Sequence, residues 1–272
     1  MSSPTKPSPP ARGQATASPA ASRTLAVLEA LASSPEPLAA GHLARELGIP
    51  RASLYRLLST MAEHGFVMPV SDSNRWALGV GAYELAWAYR RQNPLQRMAK
   101  PMLSRLVDNT GHSGHFTVLH GHDVVYVIEE RAPHRPSLVT DVGVRLPAEV
   151  TASGLAMLAA LPDSQVAALF PHDGSLVQRE GRGPSSLVEL RRILAQTRQR
   201  GHAVEEHSVT PGLASVAMAV VDRAGFPVGA VALTFEAEQV TPGQRERLAE
   251  AIRHVVVGLH ARLGSTAPPR TP

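Results

Sequence analysis

The stretch AAGHLARELGIPRASLYRLLSTMAEHG, residues 39–65, constrains the fold of this chain more than any other segment. Apolar residues recur in its first part at spacings of three and four, the period of one buried helix face, at Ala40, Leu43, Ala44 and Leu47. Gly48 then permits a tight turn, because glycine adopts the left-handed conformation without a steric penalty. Pro50 lies at or beside the first position of another helix, where its missing N–H costs nothing. That helix has its own apolar stripe and ends at Gly65; the stripe is Leu54, Leu57, Leu58 and Met61.

A helix before this stretch and a pair of strands after it complete the module. From Arg23 onward, leucines recur at every third residue and predict a helix with one buried face, formed by Leu25, Leu28 and Leu31. After Gly65, the runs FVMPV and RWALG flank the polar turn SDSN, which indicates a β-hairpin with Pro69 on an edge strand. Three helices, a glycine turn and a hairpin are typical of a winged helix-turn-helix, whose recognition helix enters the major groove of DNA.

Polar side chains on the exposed side of the third helix are candidates for DNA contact. An arginine can bridge two acceptors of guanine or grip a phosphate, and serine and tyrosine hydroxyls can donate to phosphates. In the second strand of the hairpin, Arg75 lies where a wing would touch the DNA backbone or the minor groove. The sequence therefore predicts six DNA-binding residues, which are Arg51, Ser53, Tyr55, Arg56, Ser59 and Arg75.

The distribution of charge agrees with a polyanion as partner. Residues 1–110 hold 12 Lys and Arg against 7 Asp and Glu, a net charge of +5. Residues 111–272 hold 15 against 16, a net charge of −1. A basic module joined to a nearly neutral one is typical of a nucleic-acid reader attached to a second function.

Composition excludes several other classes of protein. The first residues are mostly Pro, Ser, Ala and Thr, and the last, GSTAPPRTP, are similar, so we expect disordered tails over residues 1–21 and 266–272. The chain has no apolar run of signal-peptide or membrane-span length. It has no cysteine, which excludes disulfides and thiol-ligated zinc. We therefore expect a cytoplasmic protein.

The rest of the chain alternates helical and extended patterns. Helices are predicted over residues 94–109, 152–161, 163–170, 186–200 and 241–263. Strands are predicted at HFTVLH and DVVYVIEE, which meet in a tight turn, and over residues 202–208, 213–221 and 227–236. This order predicts an α+β domain with a mainly antiparallel sheet.

The segment LARELGIPRASLYRLLSTMAEHGFV resembles the winged helix-turn-helix of the IclR (isocitrate lyase regulator) family of bacterial transcription regulators. The resemblance continues in the family's order over about residues 22–264, through LVDNTGHSGHFTVLHGHDVVYV, VGVRLPAEVTASGLAMLAALP, RQRGHAVEEHSVTPGLASVAM and PVGAVALTF. It implies a DNA-binding domain over residues 22–81 and a GAF-like α/β effector-binding domain over residues 82–265, beginning with a linker helix. It also implies a homodimer or a dimer of dimers on a palindromic double-stranded operator. The expected function is a transcription regulator whose DNA binding a small metabolite modulates, either a repressor or an activator, with repression the favoured alternative.

The resemblance also implies where that metabolite binds. The family's pocket segments correspond here to Ala152, Ser153, Gly154, Glu205, Ser215, Ala232 and Thr234. The chain departs from the family nearby, since histidine is common at the position of Glu149, lysine at Leu155 and tyrosine at His202. Another departure is His207-Ser208, which replaces a common Glu-Glu pair. The first two differences make this region about two charges more negative, with histidine counted as neutral.

A histidine cluster suggests an alternative function as a metal-dependent enzyme or a metal sensor. Four histidines occur within eleven residues, at His112, His115, His120 and His122. A zinc site needs three or four converging ligands, whereas this pattern places the first near a helix end, the second on a strand and the last two around a turn. We therefore expect solvated or helix-capping histidines and no bound metal.

Catalytic motifs are absent from the sequence. The chain contains no G-x-S-x-G elbow, no P-loop and no H-E-x-x-H pair, and Ser153 has no evident base. We therefore predict a binding protein without catalytic residues and without a cofactor.

Overall fold

The computed structural model describes residues 18–70, 74–92, 94–133, 141–179 and 181–264. The predicted tails fall mostly outside these ranges, although the first helix already begins at Pro19. The chain divides into two units, residues Met1–Gln92 and Asn93–Pro272. Every helix in the described ranges is too short or too polar to cross a membrane.

The first unit is a winged helix-turn-helix, as predicted. Its described elements are α1 (Pro19–Ser33), β1 (Leu38–Ala39), α2 (Ala40–Glu46), α3 (Arg51–Glu63), β2 (Val67–Val70), β3 (Arg75–Leu78) and α4 (Val80–Gln92). The strands form an antiparallel sheet in the order β1-β3-β2, so Pro69 does lie on an edge strand. The two-residue β1 was not predicted, because it is too short to show a period. Helix α4 corresponds to the linker helix expected at the start of the domain over residues 82–265, and it lies within the unit Met1–Gln92.

The buried face of α1 differs from the prediction. Val27 and Leu31 are buried, whereas Leu25 is 60% exposed and Leu28 is only half-buried. The physical reason is the helical period of 3.6 residues: two successive steps of three residues rotate a side chain by about 120° around the axis. Leu25 and Leu31 therefore cannot share one face, while the spacing of four between Val27 and Leu31 keeps them together.

The second unit is an α+β domain around one antiparallel sheet, which confirms the predicted fold class. Its described elements are α5 (Pro94–Thr110), β4 (Ser113–His120), β5 (Asp123–Glu130), β6 (Arg145–Pro147), α6 (Ala152–Ala160), α7 (Asp163–Leu169), α8 (Leu187–Arg200), β7 (Ala203–Glu206), β8 (Leu213–Val221), β9 (Pro227–Glu236) and α9 (Pro242–Leu263). The strand order is β6-β5-β4-β9-β8-β7. Of these elements, only the three-residue β6 was not predicted.

Helices cover both faces of this sheet. On one face, α5 and α9 pack against large side chains such as Phe116 and Leu233. On the other face, α6 packs against small side chains, among them Ala203, Ala217 and Ala232. Small residues let a helix approach a sheet closely, and this close approach places the start of α6 over the polar end of the same face.

Candidate functional site

The helix α3 presents a polar surface on the side opposite its buried stripe. Leu54, Leu58 and Met61 are buried in the first unit. Five of the predicted DNA-binding residues lie on this helix; Arg51, Tyr55, Arg56 and Ser59 are exposed and Ser53 is half-buried. This surface can donate hydrogen bonds from two guanidinium groups and from hydroxyl groups, which suits phosphate and base edges.

The turn between α2 and α3 holds the polar surface in place. Gly48 has a φ of +61°, and the N–H of the next residue, Ile49, donates to the carbonyl of Ala44 over 3.0 Å. The side chain of Ile49 is 4% exposed and belongs to the core of the unit. Backbone geometry and packing at the turn therefore determine together how α3 is oriented against α2.

The hairpin places Tyr55 and Arg75 in different surroundings. The hydroxyl of Tyr55 and the side-chain amide of Asn74 are 3.4 Å apart, so the recognition helix contacts the residue before β3. The guanidinium of Arg75 instead donates to the carbonyl of Pro37 over 3.2 Å and lies 3.7 Å from Glu36. The guanidinium of Arg75 would have to leave Pro37 and Glu36 to reach DNA, so a contact between Arg75 and DNA stays a prediction. The hairpin tip, residues 71–73, lies outside the described residues.

In the second unit, a row of polar side chains crosses four neighbouring strands. Ser113, Thr234, Ser215 and Glu205 are directly paired from β4 through β9 and β8 to β7. Directly paired residues of antiparallel strands point to the same face. The hydroxyl oxygens of Ser215 and Thr234 are 2.9 Å apart, and the strand pairing places Ser215 beside Glu205. A hydrogen bond therefore joins two of these four side chains.

The first turn of α6 lies over this row. Thr151 caps the helix, its hydroxyl oxygen accepting from the N–H of Gly154 over 2.9 Å. The N–H groups of Ala152 and Ser153 begin the helix, where no intrahelical acceptor precedes them. Position 154 requires glycine for a steric reason, because a Cβ there would lie 2.1 Å from the carbonyl oxygen of Ala148. Glycine at this position thus allows the helix start to approach the preceding backbone.

The row of polar side chains and the start of α6 line a narrow cleft that is partly open to solvent. It is lined by His115, Tyr126, Thr151, Ala152, Ser153, Glu205, Val209, Thr210, Leu213, Ser215, Ala232 and Thr234. The structure thus brings together six of the seven residues predicted for effector contact, all except Gly154. Sequence reasoning missed the other lining residues. The alternation of residues along β4 could have indicated which face of the sheet His115 points to. The pairing of His115 with Ala232, however, depends on a strand register that the local sequence does not show.

Glu205 is the ionisable group of greatest interest in the cleft. Its side chain is 6% exposed, and burial raises its pKa to about 7. The N–H groups of Ser208 and Val209 donate to the carboxyl over 2.5 and 3.2 Å, and these bonds oppose the rise without cancelling it. Near neutral pH, Glu205 therefore exchanges between its charged and neutral forms.

The prediction for His115 was wrong, because this side chain is neither solvated nor capping. It is 1% exposed and lies edge-on to Tyr126, with ring centroids 5.3 Å apart. Burial lowers its pKa to about 4, so the imidazole is neutral at pH 7. Burial likewise raises the pKa of Tyr126. The face of the sheet that carries His115 is covered by α6, and local alternation could not reveal that cover.

The other three histidines of the cluster point elsewhere. His120 and His122 are exposed on either side of Gly121, as predicted. His112 lies two residues after the end of α5, with its ring edge-on to Phe235. Within the described ranges, no group of three histidine, aspartate or glutamate side chains converges as a metal site would require.

The departures from the family pattern lie outside the cleft wall. Glu149 is 1% exposed, and one of its carboxyl oxygens accepts from the N–H of Val177 over 2.7 Å. Leu155 lies on α6 and is buried in the core of the second unit. His202 is buried next to Glu246, and His207 accepts from the N–H of Gly212. These four residues therefore act on the fold around the cleft rather than on its lining.

Two family models match this chain. Residues 88–259 match "Bacterial transcriptional regulator IclR C-terminal", and residues 20–70 match "IclR helix-turn-helix domain". The chain is 28% identical to the Transcriptional repressor IclR of Escherichia coli over 221 residues, 80% of each protein. It is 29% identical to the Glycerol operon regulatory protein of Streptomyces coelicolor over 245 residues, 89% of this chain and 95% of that protein.

Solved structures agree with these matches. A putative IclR transcriptional regulator from Silicibacter sp. TM1040 is 25% identical, with a TM-score of 0.82, covering 93% of this chain and 99% of that one. An IclR homologue from Microbacterium hydrocarbonoxydans, complexed with 4-hydroxybenzoate, is 21% identical, with a TM-score of 0.75 over 91% of this chain and all of that one. The second likeness concerns the fold alone.

Proposed function

Because the chain belongs to the IclR family of bacterial transcription regulators, we propose that it represses transcription from operator DNA under the control of a small molecule. It is a DNA-binding transcription regulator with a C-terminal effector domain. Repression is supported by the names of its relatives, which include the Acetate operon repressor of Salmonella typhimurium at 28% identity. We further propose that it acts in the cytoplasm.

The exposed polar surface of α3 is the observation that carries the DNA-binding part of the proposal. Arg51 and Arg56 are exposed on the helix that follows the glycine turn, and the buried stripe of the same helix fixes which side faces outward. In this class of domain the recognition helix enters the major groove. We propose that Arg56 contacts a base and that Arg51, Ser53, Tyr55 and Ser59 position the helix on phosphates.

A homodimer is the form in which we propose that the first unit binds DNA. Large apolar side chains are exposed on its helices, among them Leu25 on α1 and Val80, Tyr83, Leu85 and Trp87 on α4. The rings of Tyr83 and Trp87 stack with their centroids 6.4 Å apart. Exposed apolar patches of this kind mark interaction surfaces. A second copy covering them would form a two-fold dimer, which binds a palindromic operator.

Effector binding rather than catalysis is the role that we propose for the cleft. A hydrolytic site needs a nucleophile hydrogen-bonded to a base. Here the hydroxyl groups of Ser215 and Thr234 bond to each other, and Glu205 is held by backbone N–H groups of Ser208 and Val209. A wall whose polar groups satisfy one another in this way suits reversible binding.

Fluorescence anisotropy with DNA from upstream of the protein's own gene tests the proposal. Arg56→Ala is expected to weaken operator binding by about 1–3 kcal/mol at fixed salt if Arg56 contacts a base. Arg191→Ala, which removes an exposed arginine from α8 in the second unit, is the matched control and should bind like the wild type. Unchanged affinity in both Arg51→Ala and Arg56→Ala would contradict the placement of α3 on DNA.

A further inference from the structure

A second depression in the surface of the second unit lies where the end of α5 meets the start of α9. It is an open groove of about 200 Å³, whereas the cleft of the effector site has about 20 Å³. One water molecule needs roughly 10–15 Å³ of such space, so the groove can admit a ligand of several non-hydrogen atoms. Its lining residues are Thr110, His112, Val240, Gln244, Arg247 and Leu248.

The β-sheet separates this groove from the effector cleft. Val240 and Leu248 belong to the core on the face of the sheet that α5 and α9 cover. Ala232, which lines the cleft, belongs to the core on the face that α6 covers. A ligand in the groove would therefore occupy a site of its own, and its binding does not depend on the function proposed for the cleft.

Arg247 supplies the positive charge of the groove. Its side chain is exposed, and among the residues that the structure describes no aspartate or glutamate forms an ion pair with it or lines the groove. The two glutamates nearest to it along α9 have other partners. Glu250 accepts from Arg253 over 3.0 Å, and Glu246 lies 3.8 Å from the imidazole of His202. The guanidinium of Arg247 is thus available to a ligand.

Gln244 contributes two further hydrogen-bond donors. Its side-chain oxygen accepts from the N–H of Thr241 over 2.8 Å and from the hydroxyl of Thr241 over 2.9 Å. Because a backbone N–H can only donate, this contact fixes which end of the amide is the oxygen. The two N–H groups of Nε2 then remain for a ligand, since no acceptor in the described part of the chain bonds them. Gln244 and Arg247 are three residues apart and lie next to each other on one face of α9.

The sign of the charge in the groove is decided by Arg247. The end of α5 and the start of α9 carry partial charges of about half an elementary charge and of opposite sign. These partial charges largely offset each other, whereas the guanidinium has a full positive charge. A cation would be repelled and would find donors instead of acceptors, so the groove favours an anion that accepts hydrogen bonds.

We propose that this groove binds a small organic carboxylate, whose oxygens accept from Arg247 and Gln244. A carboxylate only accepts hydrogen bonds, and its two oxygens match the fork of an arginine. The hydrocarbon part of the ligand lies on Val240 and Leu248, whose side chains are 6% and 8% exposed and form an apolar floor. An inorganic anion would leave this floor unused.

Butyrate, butyramide and butylamine test the chemistry of the ligand, because they share a hydrocarbon chain and differ in the charge of the head group. Saturation-transfer NMR titrations of the full chain at neutral pH and constant ionic strength measure their Kd values. Butyrate is expected to bind at least about fivefold more tightly than butyramide, since charge-assisted hydrogen bonds are roughly twice as strong as neutral ones. Butylamine is not expected to bind. Formate lacks the hydrocarbon part and is expected to bind about tenfold more weakly than butyrate.

Two substitutions locate the binding. Arg247→Met removes the charge but keeps a long side chain, and butyrate is expected to bind about five- to tenfold more weakly. Gln244→Glu keeps an oxygen for Thr241 and puts a negative charge in place of the amide N–H groups. Butyrate binding should then be lost, while the melting temperature stays at that of the wild type or rises, because a carboxylate is favourable at a helix start. The matched control is Arg191→Met on α8, at an exposed arginine, which should bind butyrate like the wild type.

Three results would overturn the inference. The first is formate, butyramide or butylamine binding as tightly as butyrate. The second is unchanged butyrate binding in the folded Arg247→Met and Gln244→Glu proteins, which would place the ligand elsewhere, for example in the effector cleft. The third is the lack of saturable butyrate binding by the wild type. Operator binding, measured on the same proteins, reports on the proposed function separately, because neither substitution lies in the winged helix-turn-helix.

Discussion

The exposed surface of α3 and the lining of the effector cleft are both rich in polar side chains, but these side chains are exposed on α3 and buried in the cleft. Arg51 and Arg56 lie in solvent, whereas His115 and Glu205 are 1% and 6% exposed. Replacing a solvated side chain changes stability little, while a buried polar group must be hydrogen-bonded by its neighbours. Substitutions on α3 should therefore alter binding alone, and substitutions around the cleft should alter stability as well.

The largest effect that tests this comparison is expected in the first turn of α6, which lines the cleft. Gly154→Ala places a methyl group 2.1 Å from the carbonyl oxygen of Ala148, and neither piece of backbone can yield without moving α6. We expect the free energy of unfolding to fall by about 3 kcal/mol, the upper part of the range for overpacking. Urea denaturation followed by circular dichroism measures it.

Gly243→Ala is the control for this substitution. Gly243 also lies in the first turn of a helix, α9, but an added Cβ there meets no atom within 4 Å. Its stability should equal or slightly exceed that of the wild type, because alanine favours the helix. Equal stabilities of the Gly154→Ala and Gly243→Ala proteins would show that the first turn of α6 is not tightly packed. The contrast between a buried cleft and an exposed α3 surface would then be wrong.

An effect of similar size is expected in the pH dependence of stability. The pKa of Glu205 is raised from 4.5 to about 7 in the folded state, so the folded protein retains this proton after the unfolded chain has lost it. Stability from this group is complete below pH 4.5 and is lost as the pH rises to about 7, by about 3 kcal/mol. His115 acts in the opposite direction. Its pKa is lowered from 6.5 to about 4, so it adds stability as the pH rises from about 4 to 6.5.

Glu205→Gln separates the two contributions, because glutamine resembles the protonated carboxyl and does not titrate. In the wild type the two slopes largely cancel between about pH 4.5 and 6.5. In Glu205→Gln the His115 contribution remains, so stability should rise across that interval and then level off. Chemical denaturation at half-unit steps of pH measures both curves. Parallel curves for the two proteins would mean that Glu205 is not a buried carboxyl, and its contrast with the solvated arginines would fail.

The smallest effect is expected within the first unit and sharpens the comparison there. Arg51→Ala should reduce the slope of log affinity against log salt by about one if Arg51 contacts a phosphate. Arg75→Ala should change that slope less, because its guanidinium is already bonded to Pro37 and lies near Glu36. Anisotropy titrations of operator DNA over a series of salt concentrations compare them. A larger loss of slope in Arg75→Ala would show that the wing contact predicted from the sequence outweighs that of Arg51.

The secondary structure of both units could be predicted from local pattern. Helix α3 follows from the apolar spacing of Leu54, Leu58 and Met61, and strands β8 and β9 were predicted with the bounds they have. The failure at Leu25 has a local cause too, because a run of leucines three residues apart imitates a helix face without maintaining one. Elements of two or three residues, β1 and β6, carry no period and became visible only through their pairing partners.

The cleft could not be predicted from the residues of this chain alone. Six predicted residues line it because the resemblance to a family supplied their positions, not because the residues themselves indicate a pocket. His115 was placed in solvent, whereas it lies beneath α6 beside Tyr126. Whether a strand residue is covered depends on which helix packs over it, and that helix comes from a distant part of the chain.

By itself, the sequence determined the order of the helices and of the strands longer than three residues, the polar side of α3 and the turn at Gly48, because each depends on residues within a few positions of one another. Only the tertiary structure decided that Ser113, Thr234, Ser215 and Glu205 form one row across four strands. It also decided that burial brings the pKa of Glu205 to about 7. The physical reason is that strand register and desolvation depend on contacts between residues far apart in the chain, which a local pattern does not encode.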